Sequence, residues 1–454
     1  MDEERRVLID EWFPIGEVSV ESIRERSASS ALPPLYFLHI WFARRPLITS
    51  RAAILCSLLD DKVKHDDVLR ILGIPHDRDV VGVAELFERA KAAGRRLAKN
   101  PFDWDRAYTH VPENQELEWL RSEQKHPKQR LLLADPPMAG GGSIPYEALR
   151  LGLPTIAGDL NPVAFVVLKG TVEYPVRFGA KLIPAVEEFC KRVHEAAKRK
   201  LKPFFPKQPG EQVYRYLWSR TVKCPNCGLI IPLSPNWWIL RGGEGSKEVA
   251  IKIIVPEIAE GDVCQFDLVR NPQGKGLDPN KGTDVRKEAL CPRCGRVMDS
   301  NVVKAEAQAG NMGHRLYAIS AKKQEGKRGR WIFRTPTNVE LEALEKAERS
   351  LKEKMPKWEK QNLVPIELYP ENANDTRPIQ YGMTRWCDLF NPRQLLSHLT
   401  YLEMLIEEKK RLLQEAEGKG QEERDFVEAL KVSLTFFLSL CFTYNCLLTR
   451  WRPD

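Results

Sequence analysis

Apolar positions along this chain fall into two rhythms, one of strands and one of helices. Leu131 to Ala134 is a short apolar run that stops at an acid, two prolines and, soon after, the glycines Gly140 to Gly142, which is how a buried strand ends in a tight loop. A helix is predicted next. Ser143 is placed to cap it, Pro145 suits its first turn, Ile144, Ala148 and Leu149 share a face, and Gly152 stops it. Leu153 to Gly158 reads as a second apolar strand that ends at Asp159. Helical spacing recurs in Val83 to Ala93, with Val83, Leu86, Phe87 and Ala90 on one face and Gly94 as its stop. It recurs again in Lys181 to Lys202, Asn338 to Lys357, the segment carrying Leu395, Leu399, Leu402 and Leu405, and Glu422 to Leu448. Val249 to Val255 alternates and is β-branched, as a strand would be.

Strand, glycine loop, helix, strand and acid in that order make a nucleotide-binding half-unit. Glycines let the backbone approach a ligand closely, and a helix start offers unpaired N–H groups. A carboxylate 24 residues after Asp135 is placed to accept the hydroxyls of a ribose. The chain has neither the Gly-Lys-Ser/Thr of a phosphate loop nor the GxGxxG of a dinucleotide site at this loop. A ligand with a ribose and no phosphates fits better, and S-adenosylmethionine is one. Any parallel α/β unit with a glycine turn is the plainer alternative.

Composition narrows the class only a little. The 454 residues allow two or three domains, and 43% hydrophobic content supports sizeable cores. A net charge of +8, from 70 basic against 62 acidic residues, permits a polyanionic partner without demanding one. The first six residues, Met1 to Arg6, are too polar to begin a secretory signal, and the ten cysteines are either paired as CxxC or scattered. Both point to the reducing cytoplasm. Val432 to Leu448 is apolar over about one bilayer width, but Thr435, Ser439 and Thr443 fall on one helical face, which predicts a buried helix and no membrane partner.

Cys224-Pro225-Asn226-Cys227-Gly228 and Cys291-Pro292-Arg293-Cys294-Gly295 are two knuckles of one spelling. In each, two thiolates reach one ion across a turn closed by glycine, and four thiolates make a tetrahedral structural zinc site with no open position. The 63 residues between the knuckles exceed the usual ribbon spacing of about fifteen to twenty, so a hairpin extension is expected between them. Neither knuckle sits in the βαβ context of a redox CxxC, and Cys264 reads as a lone buried thiol. Aromatic and basic groups lie close by: Trp237 and Trp238 within the ribbon, and Lys322-Lys323, Lys327-Arg328 and Arg330-Trp331 after it. Such groups stack on bases and neutralise phosphates; a solvated loop with the Trp residues in a small core is the equally weighted alternative.

Asp135, Ala139 to Pro145, Glu147 to Gly152 and Asp159 to Ala164 together resemble the cofactor motif of zinc-ribbon-containing, adenine-specific DNA methylases, with one extra loop residue at Pro136-Pro137-Met138. Trp12-Phe13-Pro14, Arg24 to Ser27 and Leu38 to Leu47 (LHIWFARRPL) resemble the uncharacterised domain that heads the same methylases. Gly313 to Ala318, Arg334 to Thr337 and Tyr381 to Leu396 resemble later blocks. The likeness implies an α/β, partial Rossmann-like S-adenosylmethionine-dependent methyltransferase fold with a helical N-terminal layer and an inserted β-rich zinc ribbon. It makes Asp135, Ala139, Gly140, Gly141, Gly142, Ser143, Asp159 and Asn161 the cofactor contacts, and S-adenosylmethionine and zinc the ligands. DNA is the implied partner, with Arg44, Arg45, Arg51, Lys327, Arg328 and Arg330 as candidate contacts. The three N-terminal arginines form a compact cationic cluster beside aromatic side chains, suited to phosphate or carboxylate.

One expected feature is missing. Amino-methylases hold the target nitrogen with Asp, Asn or Ser, then Pro-Pro, then an aromatic that stacks on the flipped base. Asp135-Pro136-Pro137-Met138 comes closest, but Met does not replace the aromatic, so no catalytic residue is assigned. The chain is therefore expected to be an amino-terminal portion whose catalytic motif lies on a second polypeptide or beyond residue 454. The expected organisation is a family-specific domain at 1–60, a helical accessory segment at 61–129, a cofactor-binding half at 130–202, the zinc-ribbon insertion at 203–335 and a helical continuation at 336–454. Two functions are expected to compete: a DNA amino-methyltransferase acting on adenine N6 with a second chain, and a non-catalytic zinc-ribbon nucleic-acid-binding protein with a vestigial methyltransferase fold.

Overall fold

A computed structural model describes residues 6–27, 32–123, 133–134, 138–242, 248–285, 288–323 and 329–452. Of the candidate contacts, Asp135, Lys327 and Arg328 lie outside the described residues. The chain divides into two units, residues 1–190 with 409–440 and residues 191–408 with 441–454.

Helices build most of the first unit. Ile15–Arg26, Leu47–Leu58, His65–Leu72 and Val80–Ala92 enclose a core that includes Leu8, Ile48, Leu55, Val68 and Leu72. The last of them realises the helix expected over 83–93 but starts earlier, at Val80, where Asp79 caps it through Gly82 N–H at 2.8 Å; Gly94 takes a positive φ of 66° just after its end, and of the expected face Ala90 is buried whereas Leu86 is 58% exposed. Ala148, Leu151 and Leu153, from the helix after the glycine loop and its exit, join the same core, so the N-terminal helices and the loop are fixed to one another. The predicted half-unit is present in short form. β1 (Leu133–Ala134) and β2 (Thr155–Ile156) pair in parallel with Leu133 opposite Thr155, and the helix Ser143–Arg150 connects them. Among the described residues the parallel sheet has these two strands, so the fuller sheet of a Rossmann-like fold is not part of what is seen.

The second unit mixes helix with antiparallel sheet. β3 (Glu211–Lys223), β4 (Ile230–Leu233), β5 (Trp238–Leu240), β6 (Val249–Ile254), β7 (Gln265–Arg270), β8 (Asp284–Val285), β9 (Glu288–Leu290), β10 (Val297–Met298), β11 (Gly313–Lys323) and β12 (Arg330–Arg334) follow in order. They form sheets ordered β12-β11-β3-β4, β5-β6-β7 and β10-β9-β8, all antiparallel. Leu217, Ile239, Val249, Ile251, Tyr317 and Trp237 fill a core between strands. Trp237 and Trp238 are only 4% and 5% exposed, which favours, of the two readings of these residues, the one that puts them in a small core. The helices Asn338–Lys360 and Pro392–Glu415 follow the sheets.

The helix Gln421–Tyr444 is, among the described residues, the one helix long and apolar enough to cross a bilayer. Its Ala429, Val432 and Phe436 are buried against Val167, Tyr174 and Phe178, while Thr435 and Thr443 of the predicted polar stripe are exposed.

Candidate metal centre and glycine loop

Each cysteine knuckle is the tip of a β-hairpin. β3 runs out at Lys223, which faces Ile230 of β4, and β9 runs out at Leu290, which faces Val297 of β10. Between those closing pairs the two turns repeat one geometry. Gly228 N–H donates to Cys224 C=O and Gly295 N–H to Cys291 C=O, both at 3.0 Å, and the glycines adopt φ of 76° and 71°. That left-handed conformation is why glycine closes each knuckle. The hairpins bring the four Sγ atoms of Cys224, Cys227, Cys291 and Cys294 within 4.8 Å of one another. Two pairs lie at 3.7 Å (Cys224 to Cys294) and 3.5 Å (Cys227 to Cys291). Thiolates at about 2.3 Å from a tetrahedral ion stand about 3.8 Å apart, so the donor set fits a metal such as zinc.

Burial raises the Cys291 thiol, whereas the Asn226 side chain and the Arg296 backbone N–H lower that of the exposed Cys294. A cation held by the four sulfurs would let the buried member ionise. Arg293 of the second knuckle ties in the neighbouring loop, donating to Pro256 C=O at 3.1 Å, Cys227 C=O at 3.2 Å and the Asp262 carboxylate at 3.0 Å. Cys264 is 2% exposed and packs beside the cluster without joining it.

The glycine loop and the second acid, far apart in sequence, meet. Met138 bridges to Asp159, Ala139 N–H donates to Gly158 C=O at 3.0 Å, and Gly140 N–H donates to Asp159 Oδ2 at 2.8 Å. Asn161 N–H donates to the other carboxylate oxygen at 2.8 Å. These backbone donors hold Asp159 below the usual carboxylate range, and each oxygen keeps a lone pair for a further donor. Asn161 Oδ1 accepts from Val163 N–H at 2.9 Å and so caps the helix Pro162–Leu168. The expected capping role of Ser143 is corrected. Gly142, at φ 82°, occupies the cap position, and Ser143 is the first helical residue, its hydroxyl donating to Arg45 C=O at 2.9 Å.

That bond belongs to a strap of N-terminal chain lying on the loop. Trp41 stacks on Phe42 at 4.3 Å and stands against the glycines: a Cβ on Gly140 would meet Trp41 Nε1 at 2.6 Å, and one on Gly141 would meet Trp41 Cβ at 2.9 Å. Two of the three glycines thus make room for an indole ring, whatever else they approach. Tyr36 donates to Arg45 C=O at 2.9 Å, and the buried Glu25 carboxylate accepts from Leu47 and Ile48 N–H at the start of the next helix. Burial raises Glu25 to about 7, against the opposing pull of those N–H groups.

The arginines separate. Arg44 and Arg45 are exposed, with Arg44 5.4 Å from the Tyr36 ring centroid, and Arg330 is exposed on β12. Arg51 corrects the cationic cluster. It is 0% exposed, its Nε donates to Glu147 at 2.6 Å, and Nη1 reaches Leu72 and Ala107 C=O at 3.4 Å, so it clamps the helix Leu47–Leu58 to the helix Ser143–Arg150. Glu147 also accepts from Arg150 at 2.8 Å. The clamp was not read from sequence, because a helical arginine 96 residues from its acid gives no local signal.

Residues 12–71 match the model of a family described as a protein of unknown function, DUF1156. The match takes in Glu25, Trp41, Arg44, Arg45 and Arg51, that is, the strap and one end of the clamp. No curated protein matches this chain, and no solved structure matches it.

Proposed function

We propose that this chain is the cofactor-binding and nucleic-acid-contacting part of an S-adenosylmethionine-dependent amino-methyltransferase acting on adenine N6 in DNA. The observation that carries the reading is the meeting of the Gly140 backbone with the Asp159 carboxylate at the ends of two parallel strands. A ribose whose hydroxyls donate to Asp159 would lie beside backbone free of side chains. Transfer would proceed by direct attack of the amine on the donor methyl carbon, the C–S bond breaking as the C–N bond forms, with the amine proton passing to a base. The Asp-Pro-Pro-aromatic motif would be supplied from outside these residues. Met138, Ile156 and Leu160, in β2 or within four residues of β1 or β2, are 79%, 57% and 88% exposed, apolar side chains that further structure would cover. The metal-binding knuckles hold structure in this scheme.

A second reading is favoured by Trp41. If the indole already takes the space that the glycines leave, the chain is a non-catalytic zinc-ribbon nucleic-acid-binding protein. Calorimetric titration of the full chain with S-adenosylmethionine separates the two. The first reading expects saturable binding that weakens by at least about tenfold in Asp159→Ala, the loss of charge-assisted hydrogen bonds. Absence of binding, or binding indifferent to Asp159, overturns the first and favours the second.

A further inference from the structure

The four-stranded sheet carries an exposed group of side chains that neither the metal centre nor the glycine loop uses. Pairing between β3 and β11 slips near the hairpin end: Ser320 faces Arg215, but Ala321 faces Val213, so Tyr214 is the extra residue of a bulge. Bulges re-aim side chains, and here the ring of Tyr214 stands 4.9 Å from that of Trp331 on β12, edge toward face. Both rings are 48% exposed, unlike Trp237 and Trp238 of the same unit. Arg215 is exposed, and its guanidinium lies 5.4 Å from the Trp331 ring and 5.5 Å from the Trp451 ring. Lys322 faces Trp331 in the β11–β12 register, and Lys323 faces Arg330. The acid opposite Lys323 on β3, Glu211, is already engaged by Arg334 at 2.9 Å. Lys322 and Lys323 are successive strand residues and point to opposite faces, so Lys322 and Arg215 are the cations that share the face of the two half-open rings.

We propose that this face binds single-stranded nucleic acid, with Tyr214 and Trp331 stacking on unpaired bases and Arg215 and Lys322 contacting the backbone. An unpaired base presents the open π-face that two exposed rings require, whereas a duplex hides it. Phosphates complement the cations. The proposal rests only on the nucleic-acid part of the function above and needs no methyl donor.

The test is fluorescence anisotropy of labelled oligo(dT) and oligo(U) on the zinc-loaded full chain without S-adenosylmethionine, with an unlabelled duplex as competitor. Tyr214→Ala and Trp331→Ala each weaken single-strand binding by about tenfold. Tyr214→Phe preserves it, and Arg215→Gln lowers the salt slope by about one. Circular dichroism and bound zinc stay unchanged, which separates lost stacking from lost fold. Binding of either oligonucleotide on these terms supports the proposal, and the preferred one identifies the sugar. Aromatic variants that bind like the parent, or preference for the duplex, overturn it. Oligonucleotide binding without any S-adenosylmethionine binding leaves this inference standing while the methyltransferase reading falls.

Discussion

Arg51 and Glu147 show how much a single pair can decide. Both side chains are 0% exposed, so removing one partner strands a charge away from water. Arg51→Met is expected to destabilise the chain by about 3–5 kcal/mol in urea unfolding, while the double change to Met and Leu recovers much of that loss. A nucleic-acid contact would instead lower affinity and leave stability alone. Glu25 gives a pH signature. Its carboxyl stands at about 7 in the folded chain against 4.5 ordinarily. The native state therefore holds a proton that the unfolded state has released, and stability falls as pH rises from about 4.5 to about 7, then levels off. Denaturant midpoints measured across that range should show this decline, and Glu25→Gln should flatten it.

At the scale of elements, what could be read in advance divides by the range of the interactions. Local signals served well. Gly94 stops its helix, Val249–Ile254 is a strand, and both CPxCG segments form turns, because alternation and left-handed glycines act within a few residues. The cysteine cluster was legible for the same reason, each hairpin being self-contained and the repeat of spelling pairing them. What escaped depended on distant neighbours. Trp41 lies on Gly140 and Gly141, and Arg51 is buried by Glu147, and nothing near residue 41 or 51 announces either. Tyr214 escaped because a bulge is a property of two strands together. For the hairpins, a chelator should withdraw one ion per chain and cooperatively unfold the segment from β3 to β10, followed by loss of β-type circular dichroism. Cys291→Ser should do the same without a chelator, since a serine hydroxyl is a poor substitute for a thiolate ligand.

For the molecule as a whole, the candidate sites are anchored by different means. The glycine loop depends on a shared apolar core, a strap and a buried ion pair, all within the first unit. The second unit relies on its antiparallel sheets and the four thiols. One strand of that unit has a consequence of its own. β3 delivers Cys224 at one end and bears Tyr214 ten residues earlier, about 33 Å away along an extended chain. It works as a ruler pinned at its sulfur end. Stripping the ion would loosen the pin and let the far end drift in register, so an aromatic grip on a strand of nucleic acid would slacken even though no thiol comes near a base.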